Sequence, residues 1–231
     1  MKRFYKKAGA VPAAGGHGVA LDGKLVKTAG KHDLVVPSLA LAEAVAAEWE
    51  AQPSEIRREA MPLTLLAGAS VDRSAAQREA VVRQVAHYAG TDLVCYRAAH
   101  PPALAAHQQA VWQPLLDWAS ERYDAPLMVT TGVIPASQPA ASLTAFTTVV
   151  AAHDDFSLTA LHAATAACGS LVIALALLEG RLDAGEALAA SQLDESFQIE
   201  AWGKDTEQAE RRTALAADIG AAAEFMSLLR G

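Results

Sequence analysis

The sequence predicts an α+β protein: a small N-terminal antiparallel sheet with a packed helix, followed by a larger all-helical domain of the orthogonal-bundle kind. Three observations predict it. Residues 1–36 carry short apolar runs separated by turn residues, with Asp22-Gly23 between two of them, the strongest short hairpin signal there is. From Ser38 onward the apolar residues recur at spacings of three and four, the helical period. Hydrophobic residues make up 52% of the chain but aromatics only 6%, so Ala and Leu supply much of the apolar content, which suits close-packed helices. We place the sheet-plus-helix domain at residues 1–62 and the helical domain at 63–231.

Taken in order, residues 3–10 alternate loosely as a first strand, and residues 12–16 form a loop. Val19 to Leu21 and Lys24 to Lys27 make the hairpin, and Leu34-Val-Val36 is a further strand stopped by Pro37. Ser38 caps a helix to about residue 51, with Leu41, Val45 and Trp49 on its inner face and Glu48 and Glu50 in solvent. Met61-Pro62 opens the next helix. Ser74 with Gln77 forms a capping box for a helix bearing Val82 and Val85. Asp92 either caps a helix or pairs with Arg97. Pro101-Pro102 begins a helix carrying Leu104, Val111, Leu115 and Trp118, with Pro114 expected to kink it. Residues 126–132 read as a strand or extended crossover, and Pro139 opens a helix bearing Leu143, Phe146 and Val150. The apolar segment 158–178 has the length of a bilayer span. Its His162, Thr159, Thr165, Gly169 and Ser170 point instead to a buried helix broken near Gly169-Ser170. The last helix is capped by Asp205, carries an i,i+4 pair of Glu207 with Arg211, and shows a stripe of Leu215, Ile219, Ala222, Met226 and Leu229.

The formal charge of -7 is unevenly placed. Residues 1–36 carry seven Lys/Arg against Asp22 and Asp33, net +5, which leaves -12 for the rest. An acidic body argues against nucleic acid as partner and suits a basic protein surface. Cys95 and Cys168 have no metal-ligand or redox spacing and read as buried free thiols. The N-terminus has no apolar run behind it, so it is not a signal peptide.

Chemistry-bearing motifs are few. Gly15-Gly16-His17-Gly18 lacks the glycine needed at position 21 for a dinucleotide loop, and no Walker or nucleophile-elbow motif is present. His153-Asp154-Asp155 with His162 matches no familiar metal spacing, and the two acids suit a helix start. The densest functional signal lies at residues 191–203. Ser191 and Asp194 have capping-box spacing, Leu193 and Phe197 point one way, and Asp194, Gln198 and Ala201 share another face. Asp194, Glu195 and Glu200 thus enrich one short helix in carboxylates that ends at Trp202. Packing requires no such cluster, so Asp194, Glu195, Gln198, Glu200 and Trp202 form the expected partner-binding set. Trp49, Asp92 and Phe197 are structural or further partner contacts.

Several segments together resemble one family. They are Arg3-Phe-Tyr-Lys-Lys7, Gly18-Val-Ala-Leu-Asp-Gly-Lys24, Ala47-Glu-Trp-Glu-Ala-Gln52, Met61-Pro-Leu-Thr64, Tyr88-Ala-Gly-Thr-Asp-Leu-Val-Cys-Tyr-Arg97, Pro114-Leu-Leu-Asp-Trp118 and Asp194-Glu-Ser-Phe-Gln-Ile-Glu-Ala-Trp-Gly203. In this order they resemble the assembly chaperones that bind the alpha subunit of the F-type ATP synthase, of the mitochondrial assembly factor 2 type. The resemblance implies a chaperone without catalytic residues, cofactor, metal or small-molecule substrate. Its partner would be the unassembled alpha subunit, held until beta arrives. Eukaryotic members are mitochondrial, whereas the lack of an Arg/Ser-rich leader here implies a bacterial cytoplasm and no membrane insertion. One departure follows Met61-Pro-Leu-Thr64: the family pattern leads us to expect a basic residue and an Asn, where Leu65 and Gly68-Ala69 stand. Two other readings remain, a small-molecule enzyme using the acidic helix with His153 or His162, and a helical scaffold for another client.

Overall fold

The computed structural model describes residues 1–132, 136–203 and 206–230. The chain divides into two compact units. The first takes Met1–Arg78, Asp154–Ala160 and Glu224–Gly231; the second takes Glu79–His153 and Leu161–Ala223.

In the first unit, β1 (Ala8–Ala13), β2 (Gly16–Leu21), β3 (Lys24–Leu25) and β4 (Val35–Val36) form an antiparallel sheet in which β2 pairs with each of the others. Asp22 and Gly23 both take positive φ, 48° and 82°, the turn that a twisted two-residue hairpin demands. The expected loop at residues 12–16 is shorter than read. Strand β1 continues through Pro12, which pairs with His17, and only Ala14 and Gly15 turn. Proline is tolerated there because β1 is an edge strand. A Cβ on Gly16 would lie 2.3 Å from the Val36 carbonyl oxygen, so only glycine lets β2 and β4 approach so closely.

Residues 3–7 do not extend the strand. Arg3 instead donates to the carbonyls of Gln52 (2.6 Å) and Glu50 (2.9 Å), and Tyr5 donates its hydroxyl to the Trp49 carbonyl (2.6 Å). These bonds tie the leading segment to the end of α1 (Leu39–Glu50). Ser38 caps α1 as expected, accepting from the Leu41 N–H, and Leu41 and Val45 are wholly buried. Glu50 is exposed, but Glu48 is not in solvent. Its carboxylate accepts from the N–H groups of Leu63 and Thr64, both at 2.8 Å, and from the Thr64 hydroxyl at 2.6 Å. It therefore caps α2 (Pro62–Val71), whose Pro62 stands in the first turn.

In the second unit and at its joins lie α3 (Ala75–His87), α4 (Pro102–Tyr123), α5 (Ala140–Ala152), α6 (Asp155–Cys168), α7 (Leu171–Leu178), α8 (Ala184–Ser191), α9 (Leu193–Trp202) and α10 (Thr206–Arg230). The Ser74–Gln77 capping box opens α3 as read. Helix α4 runs on through Pro114 without ending. The second unit is not wholly helical: β5 (Tyr96–Arg97) pairs in parallel with β6 (Thr130–Thr131), where β-branched residues in the Pro-led stretch 126–132 favour extension. The apolar segment does break at Gly169, φ 64°, and Ser170, which caps α7 by accepting from the Ile173 N–H at 3.0 Å. Residues 171–177 are all buried, which explains an apolar helix face all round. Among the described residues, no helix is long and apolar enough to cross a membrane. In α10 the stripe residues Ile219, Ala222 and Met226 are buried along with Phe225. Among the described residues no ion pair joins Glu207 to Arg211, and Asp205 lies outside them.

Candidate functional site

Helix α9 begins where the sequence indicates but for a different reason. Ser191 is the buried last residue of α8, its hydroxyl donating to the Leu188 carbonyl, and no side chain caps α9. The capping box belongs to α8 instead, where Asp183 accepts from the Glu186 N–H at 2.8 Å and Glu186 accepts from the Asp183 N–H at 2.9 Å.

Long-range polar bonds hold α9 in place. The α4 residue Gln108 is buried, and its amide oxygen accepts from the Ala98 N–H at 2.7 Å. Its amide nitrogen donates to Asp194 Oδ1, also at 2.7 Å. One turn further along α4, Trp112, only 1% exposed, donates its indole N–H to the Ala190 carbonyl at 2.9 Å. Arg212 of α10 donates to the Ser196 hydroxyl at 2.7 Å, and Leu193 is buried. Gln108 is a residue the sequence reading missed. It sits in line with Leu104 and Leu115 on an apolar face, and a polar residue in such a stripe signals a buried partner.

The acids project from this anchored base. Asp194 and Phe197 are half-buried, whereas Glu195, Gln198 and Glu200 are exposed. Asp194 and Glu195 lie in the first turn, where the helix dipole favours negative charge. None of Asp194, Glu195 and Glu200 is ion-paired among the described residues. Gly203, φ 88°, ends the helix with its N–H on the Ile199 carbonyl. The Trp202 side chain lies outside the described residues.

The other singled-out residues are placed as follows. Asp92 is fully buried and acts as a cap rather than a partner of Arg97. It accepts from the Val94 N–H at 3.2 Å and from the Val172 N–H at 3.0 Å, at the start of α7. Burial pushes its carboxyl up to about 6, against the opposing effect of those hydrogen bonds. Arg97 turns to the Val94 carbonyl and lies 5.3 Å over the Trp112 ring. Cys95 and Cys168 are buried and unbridged, and burial first, then the Asp92 charge, raises both thiols to about 12. Asp154 caps α6 through the N–H groups of Phe156 and Ser157. Among the described residues no group of three or more His, Cys, Asp and Glu side chains is arranged to hold a metal ion. Trp49, in the first unit, is half-buried rather than core.

A sheet-plus-helix unit and a helical unit that ties down a carboxylate-bearing helix through part-buried polar bonds make an α+β protein. Residues 2–120 match the family model described as ATP12 chaperone protein, and the chain belongs to that family of F-type ATP synthase assembly chaperones. The crystal structure of Atp12 from Paracoccus denitrificans is 41% identical, with a TM-score of 0.93 over 99% of this chain and 98% of that one. An aspartate-to-lysine mutant of P. denitrificans Atp12p has the same identity and coverage and a TM-score of 0.94. The mitochondrial protein atp12 of Schizosaccharomyces pombe is 23% identical over 214 residues, 87% of this chain and 74% of the relative.

Proposed function

We propose that this chaperone binds the unassembled alpha subunit of the F-type ATP synthase and prevents its aggregation until beta takes its place, acting without turnover. Helix α9 is the docking face. Asp194, Glu195, Gln198 and Glu200 meet basic and polar groups of the client, Trp202 adds an aromatic contact, and Phe197 shapes the helix that presents them. The observation that supports this reading is a set of carboxylates without ion pairs among the described residues, on a helix held by part-buried bonds from Gln108 to Asp194 and from Arg212 to Ser196. A helix fixed before binding loses little conformational entropy when it docks. An unassembled subunit exposes apolar interface, which favours aggregation. The chaperone must cover that surface and still yield to the true partner, so charges that govern encounter more than total affinity suit the task.

The test is charge reversal at two exposed positions, Glu195→Lys with Glu200→Lys, followed by capture of purified alpha subunit. The circular dichroism spectrum should be unchanged and capture lost, with wild-type capture weakening as salt rises. Capture by the double variant at the wild-type level would refute α9 as the docking face.

A further inference from the structure

The first unit contains a cleft of about 610 Å³, a volume within the range of ligand pockets, lined entirely by residues of that unit. Trp49, Ile56 and Met61 line it, and the ring of Trp49 is held edge-on by Tyr5 at 5.8 Å. The indole N–H of Trp49 is buried without an acceptor among the described residues. The facing wall is made by Leu65, Gly68 and Ala69 of α2, at the positions where the chain departs from the pattern expected after Met61-Pro-Leu-Thr64. Leu65 is 49% exposed, an uncovered apolar side chain on the cleft.

The cleft also offers a cation for a partner's carboxylate. Its ionisable lining side chains are those of Lys27, Arg58 and Asp72. Asp72 is already occupied by the Thr28 hydroxyl, the Gly30 N–H and His32, and Lys27 is paired with Asp33 at 2.7 Å. Arg58 is exposed and has no acidic partner among the described residues.

We propose that this cleft seats a large apolar side chain of a partner polypeptide, whose neighbouring carboxylate is received by Arg58. It is a second docking surface, opposite in charge preference to α9 and independent of it. A methionine beside a tryptophan makes an adaptable apolar wall, which suits a client whose contact segment is not rigid.

The test titrates the full chain, labelled with nitrogen-15, with blocked pentapeptides, following the Trp49 indole resonance assigned by its loss in Trp49→Phe. The peptide Ala-Ala-Phe-Glu-Ala should move that resonance saturably, Ala-Ala-Phe-Lys-Ala should bind several-fold more weakly, and Ala-Ala-Ala-Glu-Ala should not bind. A Cβ on Gly68 meets nothing within 4 Å, so Gly68→Leu fills the cleft without a clash at the backbone and should weaken the first peptide about tenfold or more. Leu65→Glu, an exposed change, should do the same by repelling the carboxylate and serves if Gly68→Leu melts early. The α9 double variant should titrate like wild type, so failure at α9 and failure here are separable. No saturable shift by about 10 mM peptide, or wild-type affinity in both cleft variants, overturns the proposal. Equal binding of the Glu and Lys peptides overturns the role of Arg58.

Discussion

Asp92 shows how much a single residue decides in the second unit. Its two carboxylate oxygens accept from backbone N–H groups of segments about eighty positions apart, joining the turn at Val94 to the start of α7. Burial raises its folded-state pKa to about 6, above the roughly 3.9 of an unfolded aspartate. The folded chain therefore keeps this proton to higher pH than the unfolded one. The contribution to stability is fully present below pH about 4 and declines as pH rises to about 6. Asp92→Asn does not titrate. Its penalty in urea unfolding should be larger at pH 4 than at pH 7, by up to about 3 kcal/mol. Equal penalties at the two pH values would contradict the burial argument. The sequence offered two roles for this aspartate, and its own neighbours could not choose between them. Arg97 is only five positions away, yet its guanidinium finds the Val94 carbonyl and the Trp112 face instead.

At the scale of elements, caps explain most of what the sequence conveyed and most of what it missed. Ser38, Ser74 and Ser170 act on donors within three residues, so each helix start was legible. Glu48 acts on α2 from fifteen and sixteen residues away, and a surface position was the natural reading for a charged residue beside Trp49. Removing it leaves the first N–H groups of α2 without their acceptor. Glu48→Ala should cost about 1–2 kcal/mol in equilibrium unfolding, and loss below a few tenths would show that water replaces the cap. The capping-box spacing at Ser191–Asp194 misled for a similar reason. The same spacing occurs at Asp183–Glu186, and burial of Ser191 in the last turn of α8, not sequence spacing, decides which box forms.

At the scale of the whole molecule, both thiols lie in the packed interior. With Cys95 and Cys168 raised to about 12 by burial, the native protein holds almost no thiolate at neutral pH. Ellman's reagent should find no reactive thiol in the native state and both in denaturant; prompt labelling of the native protein would show that one of them is accessible. By itself the sequence determined the hairpin at Asp22-Gly23, most helix starts, the break at Gly169-Ser170, the acidic helix and the family, because each is written in residues a few positions apart or in their order. Tertiary structure alone decided that residues 154–160 and 224–231 join the first unit, that Gln108 grips Asp194 across 86 positions, and that Trp49 faces a cleft. Those outcomes depend on where distant segments return, and a buried polar group takes the partner that the returning chain brings within about 3 Å.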